Sequence, residues 1–255
     1  MRTAADRRRA LVLGPLGALA LSACGSGPAG DPGSPTAPSL PRGDDPVELD
    51  PAAFTPDITH RYWPMRPGDR WVYEETDGGG SVQRVEVTVL DRTRTTADGV
   101  EARVVHDVVT EGGRTLEDTL DWYAQDAGGN VWYLGEQTAE YENGQIVSTE
   151  GSWEAGRDGA QPGILLPAEP RPGQHYRQEY LAGEAEDEAF VLSTGEQVQV
   201  PTGTYTGVLM TRETTPLEPD VVELKFYAPD VGPVLAVPVS GGAGREALVE
   251  TTLPG

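Results

Sequence analysis

The chain has 255 residues, with 19 Lys and Arg against 41 Asp and Glu and a formal net charge of -22. A field of that sign repels nucleic acid and anionic headgroups, so neither is expected as a direct partner, and it favours cations. Cys24 is the only cysteine, so the fold has no internal disulfide and must rest on packing, hydrogen bonds or a bound ion.

Arg2, Arg7, Arg8 and Arg9 precede an apolar run from Ala10 to Leu21, shorter than the roughly 20 residues of a membrane span. Leu21-Ser22-Ala23-Cys24 follows, and this order resembles a bacterial lipoprotein signal. The resemblance implies a signal peptide over 1–23 and a Cys24 that carries diacylglycerol and palmitate-type chains. It also implies a protein held by that anchor at the outer face of the cytoplasmic membrane. Losing residues 1–23 would remove four Arg and one Asp and leave a formal charge of -25. Residues 24–56 are rich in Gly, Pro, Ser and Thr with almost no apolar periodicity, the composition of a disordered tether.

Residues 57–255 read as a single β-rich domain. Strand-like segments recur between turn signals: 70–75, 82–90 with Val85, Val87 and Val89 in alternation, and 100–109 after the hairpin signal Asp98-Gly99. Next come 116–125 and 131–134, flanking Asp126-Ala127-Gly128-Gly129-Asn130, then 139–149. A proline-rich loop over 156–172 precedes strands at 175–181, 186–193, 196–200, 204–213, 220–228, 231–238 and 245–250. No long window carries a 3.6-residue period. The expected class is mainly β with little helix: a strongly curled antiparallel sheet, half-barrel or barrel-like, since so many strands cannot stay flat.

The sharpest local motif is Trp122-Tyr123 and Trp132-Tyr133 on the two arms of the Asp126–Asn130 turn. Two uses are open: cross-strand packing around a rigid hairpin, or an aromatic ligand platform. In the strand around Leu224, Glu223, Lys225 and Tyr227 share one face, where the chain's only lysine either pairs with Glu223 or binds a carboxylate. Three acidic clusters raise calcium as a cofactor: Glu117, Asp118 and Asp121; the run that includes Asp187; and the group around Glu218 and Asp220 with Glu213 and Glu223. Asp118 alternates with Leu116, Leu120 and Trp122, so it needs a partner or a metal. His60, His106 and His175 are too scattered for a zinc site. No Gly-x-Ser-x-Gly or Ser-x-x-Lys motif follows the signal, so an enzyme is not the expected reading, although a carboxylate pair for glycoside hydrolysis stays open among so many acids.

Residues 117–134, Gly151–Gly156, Gly173–Tyr180 and Thr215–Pro219 together resemble an uncharacterised family of bacterial, actinobacterial-like, secreted and lipid-anchored β-rich proteins. That resemblance implies location and fold but no activity. Val200–Tyr205 followed by Phe226–Val234 looks like half-barrel lipoprotein carriers of the LolA and LppX kind. This second likeness implies a lipid or other apolar small molecule held between the sheet and a cover. Ile164, Leu165 and Leu166 of the 156–172 loop would supply that cover, where the carriers use helices. The expected function is therefore a lipid-anchored extracytoplasmic binding protein. The alternative is a structural or protein-interaction lipoprotein without a small-molecule site, calcium-stabilised.

Overall fold

The computed structural model describes residues 40–253; the expected signal, Cys24 and the first part of the tether lie outside them. Among the described residues, fifteen strands join in one antiparallel sheet. The first seven are β1 (Phe54–Thr55), β2 (Arg70–Thr76), β3 (Val82–Thr95), β4 (Glu101–Glu111), β5 (Arg114–Asp126), β6 (Val131–Glu142) and β7 (Gln145–Ser148). Then come β8 (Trp153–Glu154), β9 (Gly163–Leu166), β10 (His175–Arg177) and β11 (Glu188–Val200). The last four are β12 (Gly203–Thr214), β13 (Val222–Ala228), β14 (Gly232–Ser240) and β15 (Arg245–Thr252).

Their order along the sheet is β10-β11-β12-β13-β14-β15-β2-β3-β4-β5-β6-β7, with β1 beside β5 and both β8 and β9 beside β6. Pairing between β10 and β7 is absent from this path, so its main-chain hydrogen bonds do not close a barrel. The single helical element among the described residues is a 3-10 turn, Pro51–Ala53, capped by Asp50 Oδ1, which accepts from the Ala52 N–H (3.1 Å). The coarse expectation, a mainly antiparallel β domain with little helix, is met.

Expected strands 131–134 and 139–149 become β6 and, after the turn at Asn143-Gly144, β7, while 186–193 and 196–200 are one strand. β6 runs unbroken through Gly135, and β11 runs through Gly195, where register shifts between Val191 and Gln197 mark bulges. A bulge inserts a residue without ending the strand, so the alternation breaks while the ladder continues. The 156–172 stretch is also more than a loop, because β9 pairs with β6.

The core forms where alternation is cleanest. Trp71 and Tyr73 of β2 face Val87 and Val85 of β3, and all four are buried. Trp63, from the loop before β2, inserts among them with its ring 6.2 Å from Trp71, 6.0 Å from Tyr123 and 6.3 Å from Tyr227. The Trp71 indole donates to Val231 O (2.7 Å), so burial leaves no orphaned N–H at that ring.

Residues 40–56, assigned by composition to the tether, are built into the domain. Leu40, Val47, Leu49 and Phe54 pack on the core, and β1 pairs with β5. Arg177, 1% exposed, grips this segment: its N–H donates to Pro41 O (2.9 Å), and Nη1 donates to Gly43 O (2.8 Å) and Asp45 O (2.6 Å). Four apolar residues spread through a Pro-rich, acidic stretch carry no period, and the partner that orders them lies far along the chain.

Candidate functional site

Strand register sorts the side chains into two faces. Opposite Val87 lies Asp107 of β4, and opposite Val105 lies Asp121 of β5, which in turn faces Glu136 of β6. On the other side of β2, Glu75 faces Glu246 of β15, and beyond it Glu213 of β12 faces Glu223 of β13. All these carboxylates share the face that carries Trp71, Tyr73 and Tyr227, and the charges of Asp121, Glu246, Glu117 and Glu75 all act on Asp107, so an acidic region adjoins the apolar one. Opposed like charges are unfavourable in a sheet, typically by a few tenths to about 1 kcal/mol per pair.

One opposed pair is neutralised from within. Lys225 Nζ lies 2.7 Å from Glu213 Oε2 and 3.7 Å from Glu223 Oε2. Glu213 Oε1 also accepts from Tyr227 Oη (3.1 Å) and Thr211 Oγ1 (3.1 Å). Burial alone would lower the Lys225 ammonium, but the two glutamates outweigh it and raise its pKa well above the usual lysine value. Its side chain nevertheless remains 38% exposed, so water reaches this part of the inner face.

None of the ion pairs among the described residues includes Asp107, Asp121, Glu136 or Glu246. Burial raises Asp121 to about 6, against the opposing pull of the Tyr133 hydroxyl, which donates to its Oδ1 (2.7 Å). Burial and then the Asp121 charge raise Asp107 and Glu136 well above the ordinary carboxylate range. Burial and then Glu75 raise Glu246 to about 7. Burial also holds Tyr73, Tyr123, Tyr133 and Tyr227 well above 10, so their hydroxyls stay protonated and act as donors.

The sequence-derived candidates fall in three groups. Glu223, Lys225 and Tyr227 do meet on the acidic inner face, and the lysine pairs chiefly with Glu213 from the neighbouring strand. The aromatic hairpin is a packing unit. Trp122, Tyr123 and Trp132 are buried, Tyr123 stacks on Tyr133 at 4.8 Å, and Arg94 lies 3.8 Å over Trp122. Asp126 Oδ2 accepts from the Trp132 indole (2.8 Å) and from Asn130 Nδ2 (2.8 Å), closing the turn. Ile164, Leu165 and Leu166 are likewise buried, inside the core cluster.

The calcium candidates are dispersed. Glu117 and Asp121 point inward from β5, whereas Asp118 faces outward and bonds His106 Nε2 (2.9 Å). Asp187 lies before β11, where its carbonyl accepts from the Gln178 N–H (2.7 Å), and Glu218 and Asp220 lie in the β12–β13 connection. Among the described residues, no three His, Cys, Asp or Glu side chains come together as a metal-holding group. On the outer face, Arg84, Glu86, Thr88, His106, Val108 and Thr110 line an open groove of about 310 Å³.

Sequence reasoning missed Asp107, Glu136 and Glu246. The signal for Asp107 was present: it alternates with Val105 and Val109, as a core-facing residue should. Glu136 and Glu246 carry no such signal, because their place is set by long-range register.

No protein-family model matches the chain, and no curated protein matches it. Two solved structures overlap it. One, from Bacteroides fragilis and described as an exported protein with a YmcC-like fold, is 15% identical with a TM-score of 0.43, covering 76% of this chain and 100% of its own. The other, from Parabacteroides distasonis and described as a lipoprotein, is 12% identical with a TM-score of 0.42, covering 76% of this chain and 99% of its own. Likeness at this level assigns neither a family nor an activity. No helix among the described residues is long and apolar enough to cross a membrane.

Proposed function

We propose that this is a lipid-anchored extracytoplasmic binding protein whose ligand site is the acidic region of the inner sheet face. The anchor rests on Leu21–Cys24 and the basic, apolar leader before it. The observation that carries the site is the gathering of carboxylates from β4, β5, β6 and β15 on one partly wetted face, where Lys225 pairs with Glu213 and Glu223. Burying so much like charge without a counter-ion is costly, and a ligand that compensates it accounts for the arrangement.

The half-barrel reading belongs with this proposal. Tyr123 and Tyr227 sit on strands six places apart, which a flat sheet at about 4.8 Å per strand would separate by about 29 Å. Both rings lie within 6.3 Å of Trp63, which supports a sheet that bends around its inner face. An apolar ligand of the carrier kind finds little support, since the apolar inner region is occupied by Trp63, Trp71 and the β9 side chains. The second reading, a protein-interaction lipoprotein, is favoured by one feature. Edge strand β7 leaves Ile146 58% and Val147 52% exposed beside unpaired main chain.

Native mass spectrometry of the protein extracted from its own membranes tests both halves. The expected spectrum has a diacylated Cys24 N-terminus and a co-purifying small molecule that Glu136→Gln releases. Extraction of an unlipidated chain, or a wild-type protein carrying nothing, would overturn the corresponding half.

A further inference from the structure

We infer that the acidic inner region takes an organic ammonium ligand, held by Asp107, Asp121 and Glu136; this rests on the binding reading above and names its ligand class. The three carboxylates come from adjacent strands. Asp121 and Glu136 are directly opposite, and Asp107 is diagonal to Asp121 across the β4–β5 pair. Such neighbours lie within about 8 Å of one another. None of the ion pairs among the described residues includes any of them.

A second observation is independent of charge. Asp107 Oδ1 is shut off from solvent and accepts no hydrogen bond. Buried polar atoms are nearly always satisfied, so an unpaired acceptor on this face asks for a donor. An anion would meet the like charge of Asp107, Asp121 and Glu136 and be repelled.

The chain itself displays the expected solution. The Glu213/Glu223 pair has the same opposed geometry as Asp121/Glu136, and there the Lys225 ammonium fills the gap. A ligand amine would do for Asp121 and Glu136 what Lys225 does for its neighbours. A metal ion is the poorer fit, because these oxygens do not converge on one point.

Calorimetric titration of the intact chain in detergent with 1,4-diaminobutane, at pH 8 and fixed ionic strength, tests this. Saturable one-to-one binding with a Kd below about 1 mM is expected. Glu136→Gln should weaken it by at least about tenfold while raising the ligand-free Tm, because it removes one of two opposed charges. That pairing separates a lost ligand contact from a lost fold. Asp118→Asn, on the opposite face, should leave binding unchanged. Absence of saturation, equal weakening by Asp118→Asn, or calcium binding at the same site as tightly as the diamine would overturn the inference. If the diamine fails while a neutral or apolar compound co-purifies with the protein, the ammonium assignment falls and the binding reading stands. If nothing co-purifies either, both fall.

Discussion

At the residue scale, Asp126 ties together more of the molecule than any other side chain of the hairpin. Its Oδ1 accepts from the Asn130 N–H (2.9 Å), and its Oδ2 serves both Asn130 Nδ2 and Trp132. Asn130 Oδ1 in turn accepts from the Ala168 N–H (2.9 Å), so the turn also fixes the 156–172 stretch. Asp126→Ala strands three donors and is expected to cost about 3 kcal/mol, read from the urea midpoint. Gly129 has a φ of +96°, and a Cβ there would lie 3.2 Å from Ala168 Cβ. Gly129→Val is therefore expected to cost on the order of 1 kcal/mol or more; an unchanged midpoint would show that the turn can relax. Turn chemistry of this kind is local, which is why Asp126, Gly129 and Asn130 were legible in the sequence. The use of the flanking aromatics was not, since a buried pair and a ligand platform share one pattern. Distant strands bury Trp122, Tyr123 and Trp132, and that contact carries no local signal.

At the element scale, period-2 alternation located β2, β4, β5 and β12 to β15 to within a few residues, because each has one face in the core. Yet it ended β3 five residues early and split β11 in two. It failed for residues 40–56 and for β9, which are held by contacts far apart in sequence. Arg177 is the clearest such contact, donating to carbonyls of Pro162, Gly43 and Asp45. Arg177→Leu leaves those carbonyls without their donor. The expected result is faster proteolytic cleavage between residues 40 and 56 and a lower Tm, with a loss of about 3 kcal/mol. Cleavage at the wild-type rate would mean that the apolar contacts of Leu40, Val47 and Leu49 hold the segment without the arginine.

At the scale of the whole molecule, the acidic inner face sets the response to pH. Asp107, Asp121, Glu136, Glu223 and Glu246 all have folded pKa values above their unfolded ones. The folded state then binds more protons than the unfolded state between those values, so stability falls as pH rises through that window. His60, held neutral by burial, works in the opposite direction below about 6.5. Because the carboxylates outnumber it, a higher Tm is expected at pH 5.5 than at pH 8, with the difference shrinking in Glu136→Gln. The net charge was plain from the sequence, whereas its concentration on one face was not. Asp107, Glu136 and Glu246 become neighbours of Asp121 and Glu75 only through strand pairing.

The claim underlying both the site and its ligand is that these carboxylates share one partly desolvated interior. Carboxyl carbon-13 NMR of the folded chain, titrated from pH 3 to 9, measures this directly. The account predicts Asp121 titrating at about 6 and Glu246 at about 7. It also predicts that both fall when 1,4-diaminobutane is added, since a bound cation favours the charged form. Titration of every inner-face carboxylate below pH 5, with no response to the diamine, would contradict it.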